Sequence, residues 1–521
     1  MRRGRQMSRT ECVLGIDMGT SSVKVGLFDL QGQPVAFADA SYPLYTPKSG
    51  WAEQKTDEWW SAICTATRAV MEKSGITPDS IRGMSVDTTC CTVLMADGHM
   101  NILGPAIMWM DVRASAQAKR ITATGNDALK YNGYGNVSAE SMPAKALWLK
   151  ENENELYAKA EHVFECVDWL MYKLTGELVA SIDTTSPRWY YNRAEGGWPV
   201  SLYEEIGLAD VLGKFPDAVL DLGVKVGALQ KQAAQELGLA EGIPVGEGGA
   251  DAFVGMLGLN VVSPGSIAMI TGTSHLHLGL TDKEMHAQGM WGSYPDAVVP
   301  GLQLIEGGQT STGAIVNWFQ SGYCGDIARA AKEQGKSVYD LLNEGASKLP
   351  AGAEGLLALD YFQGNRTPHA DPDVRGMFYG LSLRHTPYHL YRAILESICY
   401  GTELIMDVFR KGGMQPEGIY ISGGAVKSEL WTQMHADVCN LPIYIPKVTE
   451  GPCLGSAILG AVAAGVYDKI ETAANSMVTI ERKIKPDQTR HEEYLFYYNK
   501  YAEFYELAKG WMHSLTMHGC P

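Results

Sequence analysis

The chain lacks the basic surface that nucleic acid or an anionic membrane would demand. Its 521 residues carry 43 Lys and Arg against 59 Asp and Glu, a formal net charge of −16 at pH 7, and a polyanionic partner needs an excess of the other sign. No apolar run approaches the length of a membrane span. The basic start, Met1 to Arg9, is followed by no apolar core of the signal-peptide kind. Residues 1–10 are expected to be a disordered leader, with Met7 an alternative start. The ten cysteines include no CxxC pair, although Cys90 and Cys91 are adjacent. That excludes the common zinc and thiol-redox spacings and reads as buried, reduced thiols in a cytoplasmic protein. Low-complexity stretches and long linkers are absent too.

What is present is a repeat. The segment Asp17-Met-Gly-Thr-Ser-Ser-Val-Lys-Val-Gly-Leu-Phe-Asp29 aligns without a gap to Ile270-Thr-Gly-Thr-Ser-His-Leu-His-Leu-Gly-Leu-Thr-Asp282. Each copy reads as strand, tight Gly-Thr turn, strand. Glycine lets backbone amides approach a ligand closely, and successive N–H groups make an anion nest. Two such turns can grip one polyphosphate. Gly19, Thr20 and Ser21 of the first copy answer to Gly272, Thr273 and Ser274 of the second, but Asp17 answers to Ile270. That asymmetry assigns metal and transferring phosphate to the first turn and phosphate alone to the second. A Gly-Thr turn by itself is as often an ordinary hairpin; the in-register repeat argues for duplicated halves.

The length exceeds one core and implies two domains. Strands alternate with helices in both halves, which argues for α/β layers. Expected helices include Thr56–Lys73, Met142–Glu153, Val167–Leu174, Leu390–Arg410 and a close-packing, small-residue helix over Leu454–Ala464. The junction is expected near Val262-Ser-Pro-Gly265, giving domains 11–262 and 263–521.

Two further segments suggest chemistry. In Gly246-Glu-Gly-Gly-Ala-Asp251 an acid ends a glycine-rich loop where a helix should begin. Asp251 reads either as a helix cap or as the carboxylate that phosphoryl transfer to an alcohol needs near the attacking hydroxyl. In Ser422-Gly-Gly-Ala-Val-Lys-Ser428 a strand ends in glycines and opens a helix. That suits nucleotide binding at the carboxyl end of a sheet, although the segment has neither GxGxxG nor the P-loop pattern.

Together these residues resemble the FGGY carbohydrate kinases from about Cys12 to Asp468. The stretch Gly376-Met-Phe-Tyr-Gly-Leu-Ser-Leu-Arg-His-Thr-Pro-Tyr-His-Leu-Tyr-Arg-Ala-Ile-Leu-Glu396 is similar to the family's C-terminal signature. The resemblance implies two actin-like (ribonuclease H-like) α/β domains of the sugar kinase, actin and chaperone superfamily, with the active site in the cleft between them. It implies ATP and Mg²⁺, with Asp17 near the metal, Gly19, Thr20, Gly272 and Thr273 at phosphate, and Asp251 as the catalytic base. Gly313 and Asn317 resemble nucleotide-contacting positions; Gly424, Ala425 and Ser428 resemble the adenosine motif, where many relatives have Asn in place of Ser428. Sugar contacts match at Thr88, Thr89, Trp109, Asp111, Glu140 and Lys145. Trp109 reads equally as core, and Asp111 as the partner of Arg113.

The Asn-Gln-Arg-Glu pattern of glycerol kinases and the Gln-Met-His pattern of xylulokinases are absent. Asp87-Thr-Thr-Cys90 and Tyr361-Phe-Gln-Gly-Asn-Arg-Thr-Pro368 are more similar to ribulose-phosphorylating kinases. The expectation is a kinase for a terminal hydroxyl of a ketopentose, ribulose before xylulose. The rivals are a polyol kinase for erythritol or glycerol, a family member without activity, and a non-catalytic actin-like nucleotide-binding protein. Sugar and ATP are the expected partners, without nucleic acid or membrane. Oligomeric state stays open, a homodimer being one option.

Overall fold

A computed structural model describes residues 10–133 and 135–519. The expected leader lies outside the described residues apart from Thr10. Contacts divide the chain into two compact units. The first comprises Met1–Ser263, Gly292–Leu304 and Glu450–Thr479; the second comprises Pro264–Trp291, Ile305–Thr449 and Ile480–Pro521. The first unit therefore draws two segments, residues 292–304 and 450–479, from the second half of the chain.

The first unit is built on strands β1 (Cys12–Met18), β2 (Ser22–Asp29), β3 (Pro34–Ser41), β4 (Ile81–Thr88), β5 (Lys225–Ala228) and β6 (Pro244–Gly246), in the order β5-β6-β4-β1-β2-β3. β1 runs antiparallel to β2 and parallel to β4, so Asp17 pairs with Lys24 on one side and with Asp87 on the other. β1 is an apolar run buried at nearly every position, as a strand covered on both faces must be. The Gly451–Ala463 helix lies on it so closely that a Cβ on Gly15 would stand 1.9 Å from the Cys453 carbonyl oxygen, and one on Gly83 2.1 Å from that of Gly460. Small residues on both surfaces permit that approach. A smaller sheet joins Glu53–Gln54, Ala106–Ile107, Val93–Ala96 and His162–Glu165.

The second unit repeats the plan with β7 (Ser266–Thr271), β8 (His275–Thr281), β9 (Gln303–Gln309), β10 (Gly418–Gly423), β11 (Ile443–Pro446) and β12 (Ile480–Ile484), ordered β9-β8-β7-β10-β11-β12. β7 is antiparallel to β8 and parallel to β10. The signature stretch leads into the Pro387–Gly412 helix. There Arg392 Nε donates to Glu396 at 2.7 Å, Gly352 N–H donates to the same carboxylate, and Arg392 also donates to Tyr494 Oη at 2.9 Å. All three side chains are buried, so this part of the signature holds the fold. The terminal Gln488–Gly519 helix contributes Tyr494, Tyr498, Tyr501 and Tyr505 to the same core; it was not among the sequence expectations. No helix among the described residues is long and apolar enough to cross a membrane.

Candidate active site

In the first unit, the β1–β2 turn is tied down by its carbonyls. Tyr42 Oη donates to Gly19 O and, at 3.1 Å, to Ser22 O. Gln54 Nε2 donates to Thr20 O at 2.7 Å, and Tyr42 N–H to Ser21 O at 3.1 Å. The Thr20 hydroxyl accepts Trp109 Nε1 at 3.0 Å. The N–H groups of Thr20 and Ser21 have no acceptor among the described residues. A turn whose carbonyls are held back and whose amides are free is a site for an anion.

Three carboxyl groups gather below this turn. Asp17 and Asp87 lie side by side through the β1–β4 register. Asp87 is fully buried; Ser456 Oγ donates to its Oδ2 at 2.6 Å, and its Oδ1 has no donor. Burial raises the Asp87 carboxyl well above the usual range, and the charge of Asp17 raises it further. Asp17 is also raised, by burial, against the opposing pull of its bond to Asp87 and of Lys24; Lys24 itself is paired with Glu450 at 2.6 Å. Asp251 is the first residue of the Asp251–Gly258 helix, and its Oδ1 accepts the N–H of Ala252 at 2.7 Å. Burial, then the charge of Asp17, pushes it up to about 7, with the Ala252 bond opposing. Among the described residues no group of three His, Cys, Asp or Glu has the arrangement of a metal centre. The all-oxygen set with an undonated buried carboxylate oxygen nevertheless fits Mg²⁺, which takes one or two carboxylates and keeps its waters.

The remaining sugar candidates separate. Trp109 is 38% exposed and Glu140 is partly exposed. Thr88 and Thr89 are buried, their hydroxyls bonded to Thr89 O and to Thr92 Oγ1. Asp111 pairs with Arg113, the second of its two readings, and Lys145 is engaged by loop carbonyls. Both are wholly buried. The Asp111 carboxylate is filled by Arg113 and by Ala52 N–H, and Lys145 Nζ donates to the carbonyls of Cys91 and Met108. Both tie loops together.

In the second unit, the β7–β8 turn is anchored by backbone. Thr273 O accepts the N–H groups of Thr312 at 3.0 Å and Ala314 at 3.1 Å, and a Cβ on Gly313 would stand 2.2 Å from Gly272 O. Thr273 and Ser274 N–H are without acceptors among the described residues. Beside the turn opens a cavity of about 440 Å³ lined by Gly272, Gly313, Gly424, Ala425 and Ser428 together with His275, Asn343, Tyr339, Tyr391 and Trp431. That volume is ordinary for a small-molecule site. Ser428 Oγ and Tyr391 Oη both donate to Asn343 Oδ1 at 3.1 Å. Asn317 is exposed and not part of the lining; it stands one turn after Gly313 on the Gly313–Tyr323 helix.

Three functional neighbours escaped sequence reasoning: Asp87, Ser456 and Tyr42. Asp87 carried a signal, as an acid near the end of an apolar strand.

Residues 12–258 match the N-terminal domain, and residues 267–464 the C-terminal domain, of the FGGY family of carbohydrate kinases. An FGGY carbohydrate kinase domain-containing protein of Xenopus laevis is 36% identical, the match covering 95% of this chain and 96% of that one. A ribulokinase of Geobacillus thermodenitrificans is 31% identical over 95% of this chain and 94% of its own. The crystal structure of xylulose kinase from Rhodospirillum rubrum superposes with a TM-score of 0.84 at 26% identity, covering 96% of this chain and all of the other.

Proposed function

Since the chain belongs to the FGGY family of carbohydrate kinases, and is thereby a phosphotransferase with ATP as donor, we propose that it phosphorylates the terminal hydroxyl of a ketopentose to the 5-phosphate, ribulose in preference to xylulose. The non-catalytic reading falls away with the family. Similarity to ribulokinases over nearly the whole chain supports the sugar, as does the Asp87-Thr-Thr-Cys90 run.

The observation that carries the mechanism is Asp251, a carboxylate at the head of a helix whose affinity for a proton is raised to about 7 by burial and by Asp17. A base working near neutral pH needs such a value. Asp251 accepts the proton of the sugar hydroxyl as that oxygen attacks phosphorus. The Thr20 and Ser21 amides hold phosphate oxygens, and those of Thr273 and Ser274 hold others. The cavity at Gly424, Ala425 and Ser428 takes the adenosine. Trp109 and Glu140 are the sugar contacts retained. Asp17, with Asp87 behind it, would hold Mg²⁺, whose charge offsets that developing on the phosphoryl group. With nine described cysteines free, a cytoplasmic setting is the reading kept.

Asp251→Asn keeps size and removes the base. General-base contributions run to about 10²–10⁴-fold, so turnover should collapse while ATP still binds. ADP release across a panel of pentuloses, tetritols and glycerol tests the substrate. A variant with more than about a tenth of wild-type turnover would remove Asp251 from the mechanism. Faster turnover of erythritol or glycerol would replace the ketopentose by a polyol.

A further inference from the structure

The backbone that delivers Asp251 is held from behind by another aspartate. Asp183 is fully buried in the Ile182–Trp189 helix. Its Oδ1 accepts the N–H of Ala250, the residue before Asp251, at 2.6 Å. Two residues earlier in the same loop, the Gly248 carbonyl accepts the hydroxyl of Ser181 at 2.6 Å. That hydroxyl in turn accepts the N–H of Asp183 at 3.3 Å. Ser181 is itself fixed by Asp168, whose Oδ1 accepts its N–H at 3.3 Å. Between the two clasps there is no spare room, since a Cβ on Gly249 would lie 2.5 Å from the Asp183 carboxyl carbon.

This is a costly way to satisfy one backbone N–H. No cation pairs with Asp183 among the described residues, and its Oδ2 is buried without a donor. An uncompensated buried carboxyl destabilises a fold. A group kept at such a cost calls for an explanation, and the loop it grips ends on the proposed base.

We propose that Asp183 is a positioning residue for phosphoryl transfer, fixing the place of the Asp251 carboxyl through the Ala250 N–H while Ser181 closes the other side of the loop. The proposal rests on Asp251 accepting the sugar proton. A displacement of about 1 Å at a reacting group can cost 10²-fold in rate. Asp183→Ala should therefore lower kcat roughly 10- to 100-fold and leave the KM for ATP unchanged. Asp183→Asn, whose amide oxygen still accepts from Ala250, should restore most of the loss. In an Asp251→Asn background, Asp183→Ala should cost nothing further, because its effect runs through the missing base. All assays are run well below each variant's melting temperature. Wild-type kcat in Asp183→Ala, equal damage in Asp183→Asn and Asp183→Ala, or a further loss in the double variant would each overturn the assignment. Near-wild-type turnover in Asp251→Asn alone would instead remove the base, and this proposal with it.

Discussion

The two phosphate turns share a design and differ in the charge behind it. In each, a strand runs antiparallel to the next and parallel to a third, the turn carries Gly-Thr, and two amides have no acceptor among the described residues. In the first unit the residue before the turn and its parallel neighbour are Asp17 and Asp87. At the matching places of the second they are Ile270 and Ser422. The turns also differ in length. Met18 pairs with Val23 across four residues, whereas Thr271 pairs with His275 across three. The gapless sequence alignment therefore hides a one-residue slip, which in a strand changes the face each side chain presents. The amide cradle is common to both units. What lies under it differs: acids in one, neutral residues in the other.

The strongest way to break this contrast is Asp17→Ala. Removing preorganised electrostatic groups from a transfer site costs about 10²–10³ in turnover, and the Mg²⁺ requirement should rise. A small loss with an unchanged Mg²⁺ titration would make the two turns equivalent. The next effect is on pH. Asp251 must be ionised to accept a proton, so kcat/KM should fall as pH drops below about 7, approaching about tenfold per pH unit. Nucleotide affinity, resting on a turn without such acids, should stay flat between about pH 6 and 8. Parallel loss of both would erase the division.

Gly313→Ala acts on the second turn alone. Its Cβ would meet Gly272 O at 2.2 Å, and overpacking costs about 1–3 kcal/mol, so the KM for ATP should rise roughly tenfold or more with kcat less affected. An unchanged KM would detach that turn from the nucleotide. Smallest is Thr273→Ala, which removes a hydroxyl and keeps the amides. At about 0.5–1.5 kcal/mol for a neutral hydrogen bond, steady-state rates should fall about tenfold or less. A collapse comparable to Asp17→Ala would mean that the second turn does more than cradle.

Much of this was legible in the chain because turn chemistry is local. Gly19-Thr20 and Gly272-Thr273 announce their bends, and the glycines before Asp251 announce a loop opening a helix. Asp87 was visible as a polar strand end, but its meaning comes from pairing with Asp17 and from Ser456, which is 369 positions away. Asp183 was hidden for the same reason. The Asp111–Arg113 pair was legible because its members are two positions apart, whereas the carbonyls that engage Lys145 belong to residues 37 and 54 positions away and leave no mark in sequence. The small residues of the Leu454–Ala464 segment mark a close-packing helix, but its glycines do not name the strand they approach, so chain position alone assigns it to the second domain, whereas it packs in the first unit.

That helix has a consequence for how the protein is made. The strands it covers, with Gly15 and Gly83 on them, leave the ribosome early, while residues 451–463 follow only after most of the second unit has been synthesised. Domains generally fold as units, N-terminal first, as the chain emerges. Here the sheet face at Gly15 and Gly83 has its cover only once residues 451–463 are made. A nascent chain stalled before that helix would hold the whole Asp17–Asp87–Asp251 cluster and still lack the lid on its own core.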